Sequence, residues 1–160
     1  AAADEPQPVR QVDAHRGWLR ALATSPDGSL IATGGNDQLV KLWNAADGSM
    51  VREFVGHDRH VYSVQFHPSG EFLVSGDLHG AIHQWETATG KLVRSFDGKE
   101  LYAPNEGQGA EYGGVRSLAF SPSADRLAGS TAQLCGPATH QRRELGIPQP
   151  APRGRGGAGA

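Results

Sequence analysis

Residues 15–48, HRGWLRALATSPDGSLIATGGNDQLVKLWNAADG, return at 57–90 as HDRHVYSVQFHPSGEFLVSGDLHGAIHQWETATG. His15, Pro26, Gly34, Trp43 and Gly48 meet their counterparts His57, Pro68, Gly76, Trp85 and Gly90 at a constant displacement of 42 positions. Inside each copy, short apolar and β-branched runs are separated by Pro, Gly, Asn and Asp, the pattern of strands joined by tight turns.

Working outward, Leu19 to Ser25 reads as a first strand and Ser25-Pro26-Asp27-Gly28 as its hairpin turn, since Pro presets φ and Gly accepts a positive one. Leu30 to Gly34, Val40 to Asn44 and Ser49 to Val55 follow as strands, with turns at Gly34-Gly35-Asn36-Asp37 and Ala45-Ala46-Asp47-Gly48. The second copy gives Val61 to His67, Phe72 to Gly76, Ala81 to Glu86 and Lys91 to Asp97. A period of about forty to forty-five residues with this His and Trp placement marks one four-stranded propeller blade per repeat. A closed ring needs roughly four to eight blades, so two repeats and the start of a third predict a piece of a longer propeller, or a chain completed by partners.

The expected fold is therefore all-β: a partial β-propeller of four-stranded antiparallel blades, open in this chain, with a disordered C-terminal tail. Its parts are a lead at 1–14, in which Val9 to Val12 reads as an orphan outer strand, and blades at 15–56 and 57–98. An inserted loop at 99–114, a partial third blade at 115–129 and a disordered or non-native tail at 130–160 complete the chain. Pro122 follows Pro68 by 54 residues, twelve beyond the period, and the excess falls in a polar loop carrying Tyr102, Glu106, Glu111 and Tyr112. Such a loop is either a solvated insertion or a carrier of function. Thr139 stands where a third Trp is expected, and Thr131 to Ala160 has too few large apolar side chains to offset chain entropy.

Leu19 to Gly98, with Val115 to Gly129, resembles the WD-repeat β-propeller family, on the spacing of the His, the Pro-Gly turn, the Ser/Thr-Gly end of strand two and the Trp of strand three. Asn44 and Glu86 stand where the family carries the Asp of its name. The resemblance implies a structural hydrogen-bond network in each blade, from Trp indole to Ser/Thr hydroxyl to His imidazole to Asp. It maps onto Trp43, Thr33, His15 and Asp37, and onto Trp85, Ser75 and His57 with His79 in the place of Asp. Protonation of His79 would set a cation beside His57, so the second blade is expected to loosen as pH falls through the imidazole range.

The family resemblance further implies partner contacts on the face formed by the loops before strand one and after strand two. With Leu19 and Val61 assigned to the core row, that face takes Trp18, Arg20, Asn36, His60, Tyr62, Leu78 and Arg116. The expected function is a non-catalytic scaffold holding a protein or peptide, or the remaining blades of its parent. The alternative is a propeller domain of a larger enzyme or sensor with a small-molecule site near the inserted loop.

Several other classes receive no support. A net charge of −2 and a pI near 6.4 predict no attraction to nucleic acid or anionic membrane. Cys135 alone forms no internal disulfide or thiolate cage. No cofactor or metal is expected: His57, His60, His67, His79 and His83 lie on successive strands and turns that aim in different directions. A Ser, His and Asp in one network resembles a hydrolase triad, but no nucleophile elbow accompanies it. Compartment is undecided, with the cytoplasm slightly ahead of export because no charged and apolar signal regions are present.

Overall fold

A computed structural model describes residues 10–98 and 114–130, together with the backbone of 143–146. Strands β1 (Leu19–Thr24), β2 (Leu30–Gly35), β3 (Val40–Asn44) and β4 (Met50–Phe54) form one antiparallel sheet in chain order. Strands β5 (Val61–Phe66), β6 (Phe72–Asp77), β7 (Ala81–Glu86) and β8 (Leu92–Asp97) form a second of the same plan. The repeat extends to irregularities: each sheet has register shifts after the first residue of its first strand and between its third and fourth strands. Gly28 and Gly70 hold φ of 74° and 75° in equivalent hairpin turns, a region that costs a residue without Cβ little.

The third sheet pairs β9 (Ser117–Phe120), β10 (Arg126–Ser130) and β11 (Arg143–Gly146) in the order β11-β10-β9. Thus the segment assigned to a disordered or non-native tail contributes a strand, which pairs antiparallel with β10 along Arg126–Gly129. The inserted residues 99–113 and the segments 131–142 and 147–160 lie outside the described residues. Of the outer strand expected from Val9 to Val12, Val9 lies outside the described residues, and 10–12 are described without strand pairing.

The cores lie between the sheets. Ala32, Leu42 and Phe54 of the first meet Val61, Phe66, Leu73 and Trp85 of the second, and Val74 and Ile82 of the second meet Val115, Leu118 and Leu127. Two glycines set the approach: a Cβ on Gly34 would stand 2.6 Å from Val61 Cγ1, and one on Gly76 would stand 2.6 Å from Val115 Cβ. Because no described sheet covers the outer face of β1–β4, Leu19, expected in the core row, is 48% exposed, whereas its counterpart Val61 is fully buried.

Candidate functional site

Each of the two four-stranded sheets is clamped at one end by a hydrogen-bond chain. In the first, Trp43 Nε1 donates to Thr33 Oγ1 at 2.9 Å. Thr33 Oγ1 lies 2.8 Å from His15 Nε2, and His15 Nδ1 lies 2.7 Å from Asp37 Oδ1. With the proton on Nδ1, every group acts in its allowed sense: indole donates, hydroxyl relays, imidazole accepts and donates, carboxylate accepts. Burial works against ionisation of Asp37, but the bonds from His15 and from the Arg16 N–H outweigh it and hold its carboxyl below the usual range.

The second sheet repeats the chain through Trp85 Nε1 to Ser75 Oγ at 2.8 Å and Ser75 Oγ to His57 Nε2 at 2.7 Å. Its terminus differs from the expected one: His57 Nδ1 meets Asp77 Oδ2 at 3.0 Å, and His79 is not the acceptor. Asp77 stands two residues before the turn position, and its Oδ1 also accepts from the N–H groups of His79 and Ala81. In the first sheet the equivalent residue is Gly35, where a Cβ would press within 2.5 Å of the His15 ring. A carboxylate therefore reaches the imidazole from the strand end in one sheet and from the turn in the other.

Burial separates the two chains further. Ser75 and Trp85 are at most 1% exposed beneath the first sheet, whereas Trp43 is half-buried and lines with Thr33 an open groove of about 310 Å3. Ser75 Oγ is fully enclosed, which leaves no path for a substrate atom to reach it, and it holds the Trp85 indole N–H as well as the His57 imidazole. His83, a position taken by Lys41 in the first sheet, stacks on His57 with ring centroids 4.1 Å apart. Burial, then the neighbouring His57, push its pKa from 6.5 down to about 4 against the pull of Asp77 and Asp58, and its Nδ1 has no hydrogen-bond partner.

At the same end of the sheets, four of the expected contact residues form a row. Arg20 lies 4.6 Å from the Trp18 ring centroid and 5.0 Å from that of Tyr62, and Arg116 lies 3.9 Å from Tyr62. Asn36 joins it by accepting from Arg20 Nε at 2.7 Å, and its own N–H bonds the Trp18 carbonyl. Trp18 is 69% exposed, held over a neighbouring guanidinium rather than packed into a core. His60 is half-buried, its carbonyl accepting from the Leu78 N–H.

Leu78 does not belong to the exposed patch. It is 3% exposed, because the lead into the third sheet folds over it: the Val115 N–H bonds the Asp77 carbonyl at 2.9 Å, and a Cβ on Gly114 would collide with the Leu78 backbone.

Sequence reading also passed over a set of arginines at the opposite end. Arg52 donates to Ala88 O and Thr89 O at 2.7 and 2.8 Å, tying the first sheet to the β7–β8 turn. Arg10, 42 residues earlier, donates to Ala46 O of the equivalent β3–β4 turn at 3.0 Å. Arg10 thus makes from the lead the contact that Arg52 makes from β4; the recurrence Arg10, Arg52, Arg94 was the available signal.

Among the described residues no group of three His, Cys, Asp or Glu could hold a metal ion, and no helix is long and apolar enough to cross a membrane.

Comparison with known proteins agrees with this architecture. The WD domain, G-beta repeat family matches residues 6–44 and 48–86, so each match begins in the segment that places Arg10 or Arg52 and ends after the clamping Trp. The general transcriptional corepressor TUP1 of Saccharomyces cerevisiae is 33% identical over 49 residues, 31% of this chain and 7% of that protein. The nuclear distribution protein PAC1 of Coccidioides posadasii is 34% identical over 56 residues, 35% of this chain and 12% of that protein. The small ribosomal subunit protein RACK1y of Oryza sativa is 44% identical over 41 residues, 26% of this chain and 12% of that protein. The chain thus spans only about a tenth of the length of these relatives. Period, clamp and family match converge, and the chain belongs to the WD-repeat family.

Proposed function

We propose that the chain is a non-catalytic scaffold element that holds a protein or peptide partner at the face of Trp18, Arg20, Asn36, His60, Tyr62 and Arg116. The observation that carries this reading is the 69% exposed Trp18, fixed in a row with Arg20 and Tyr62 rather than buried. Aromatic and Arg side chains dominate interface energetics, and an indole already ordered by a neighbour loses less entropy on docking. The names of the relatives, a corepressor, a nuclear distribution protein and a ribosomal subunit protein, are of the same general kind. The enclosure of Ser75 supports a structural role for the Ser, His and Asp cluster. The small-molecule alternative depends on residues 99–113, outside the described residues.

The test is affinity capture of partners by the tagged chain and by its Trp18→Ala and Tyr62→Ala variants. A hot-spot loss of about 2 kcal/mol, roughly thirtyfold, is expected for Trp18→Ala. Partner sets and affinities unchanged in both variants would refute the face.

A further inference from the structure

The stack of three sheets ends in two unlike faces. Where the first sheet meets the second, its first two strands present small side chains: Ala23 stands opposite Ala32, and both are buried with Leu73 and Trp85 of the second sheet. In the third sheet Ala119 stands opposite Ala128 in the same register, and both are exposed. At the other end of the stack the side chains are large. Leu22, Ile31 and Trp43 are the counterparts, by the 42-residue period, of Val64, Leu73 and Trp85, which are at most 6% exposed. Leu22 is 60% exposed, and with Leu19, Ile31 and Trp43 it lines the open groove of about 310 Å3. Each end thus carries one half of the small-on-large contact that the first and second sheets make with each other, and open apolar surface of this kind drives association.

The lead says how many strands the missing layer has. Arg10 reaches the β3–β4 turn as Arg52 of β4 reaches the β7–β8 turn. Val12 lines the groove 42 residues before Phe54, whose ring packs 5.6 Å from that of Trp85. Arg10 and Val12 therefore stand over the first sheet as the fourth strand β4 stands over the second, and three further strands would complete the layer. The third sheet has β9, β10 and β11, and among the described residues no strand pairs with the outer edge of β11. Ser130 takes the place of the seat glycines in this sheet, and Leu19, longer than Val61 and Val115, reaches across the wider spacing that Ser130 sets.

We infer that this chain pairs head to tail with a second copy of itself, the Ala119 and Ala128 face of one copy's third sheet covering the Leu22, Ile31 and Trp43 face of the other's first. A contact between unlike faces is heterologous and either closes into a ring or runs on as a filament. Rings of roughly four to eight sheets close, and two copies of three sheets make six, so the pair closes through two identical junctions. This inference is independent of the docking face proposed above.

The experiment is light scattering on the full chain after size exclusion. At about 100 µM the mass should be about twice 16.9 kDa, and at about 1 µM it should fall toward that of one copy. Leu22→Glu and Ala128→Glu each place a carboxylate at an exposed position on one end. Each should keep the far-ultraviolet dichroism of the unsubstituted chain and leave a single copy at about 100 µM, because pairing would bury the charge. Mixed in equal amounts, the two variants retain one intact junction between them. They should return toward twice 16.9 kDa, at least about tenfold more weakly than the closed pair. A single-copy mass at about 100 µM for the unsubstituted chain overturns the pairing and leaves the docking face standing. Loss of pairing in only one of the two variants means that like faces meet, and overturns the head-to-tail contact, as does a mixture that stays at one copy. Masses that climb beyond two copies with concentration overturn ring closure.

Discussion

The two clamps offer an internal comparison: the same four groups, joined by the same bonds, in two degrees of enclosure. Ser75→Ala and Thr33→Val each delete one hydroxyl with little change of shape. Without Ser75 Oγ, the Trp85 N–H and the His57 Nε2 lose their partner in a place where Ser75 is fully buried and Trp85 is 1% exposed. An orphaned buried polar group costs about 1 to 3 kcal/mol, so two of them with partial relaxation give about 3 kcal/mol. Thr33→Val strands the same pair of atoms, but Trp43 is half-buried beside an open groove whose water can take the indole N–H, which brings the cost to about 1 kcal/mol. The assay is urea unfolding followed by far-ultraviolet circular dichroism. With a slope near 2 kcal/mol per molar, the midpoint should fall by about 1.5 M for Ser75→Ala and about 0.5 M for Thr33→Val. Equal losses, or a larger one for Thr33→Val, would refute the claim that enclosure by the neighbouring sheet sets the energy of the clamp.

Other outcomes follow from the same geometry. His83 titrates near 4 in the folded chain against 6.5 when free, so the unfolded chain takes its proton first: this stabilisation is complete above pH 6.5, declines toward pH 4 and is absent below. Its ceiling is about 3 kcal/mol, and urea midpoints between pH 7.5 and 4.5 should fall less steeply in His83→Gln. An alanine at Gly34 should cost about 1 to 3 kcal/mol and couple favourably with Val61→Ala, which removes the Cγ1 at 2.6 Å; at Gly76 the clash is with Val115 Cβ itself, so Val115→Ala should relieve it far less in a double-mutant cycle. Arg52→Ala, losing two bonds across sheets, should lower the unfolding midpoint more than Arg10→Ala, which loses one.

The sheet plan was legible in the sequence because a period of 42 fixes strand order, and Pro-Gly turns fix where each hairpin closes. The first clamp was legible for the same reason. The second was misread at one residue: counting by the period selects His79, whereas what the imidazole needs is an oxygen at Nδ1, and Asp77 supplies it from two residues earlier. Periodicity names a position, and hydrogen bonding selects an atom. Leu19 and Leu78 were misplaced because their exposure depends on what lies over them: nothing described covers the first, and Gly114 and Val115 cover the second. The row of Trp18, Arg20, Tyr62 and Arg116 was expected residue by residue, but the interleaving of cation and ring arises only when neighbouring sheets place their first strands side by side.

The glycine seats at 34 and 76 also govern how far this stacking can be continued. Each lets a valine of the following sheet rest almost on a bare α-carbon. At the corresponding place on β10 the register brings Ser130 opposite Ser117, as Gly76 stands opposite Ser63. Any layer laid over β10 therefore meets a hydroxymethyl group where its two predecessors met empty space, and must stand farther off or tilt, so the spacing of the array is written into a single atom per repeat.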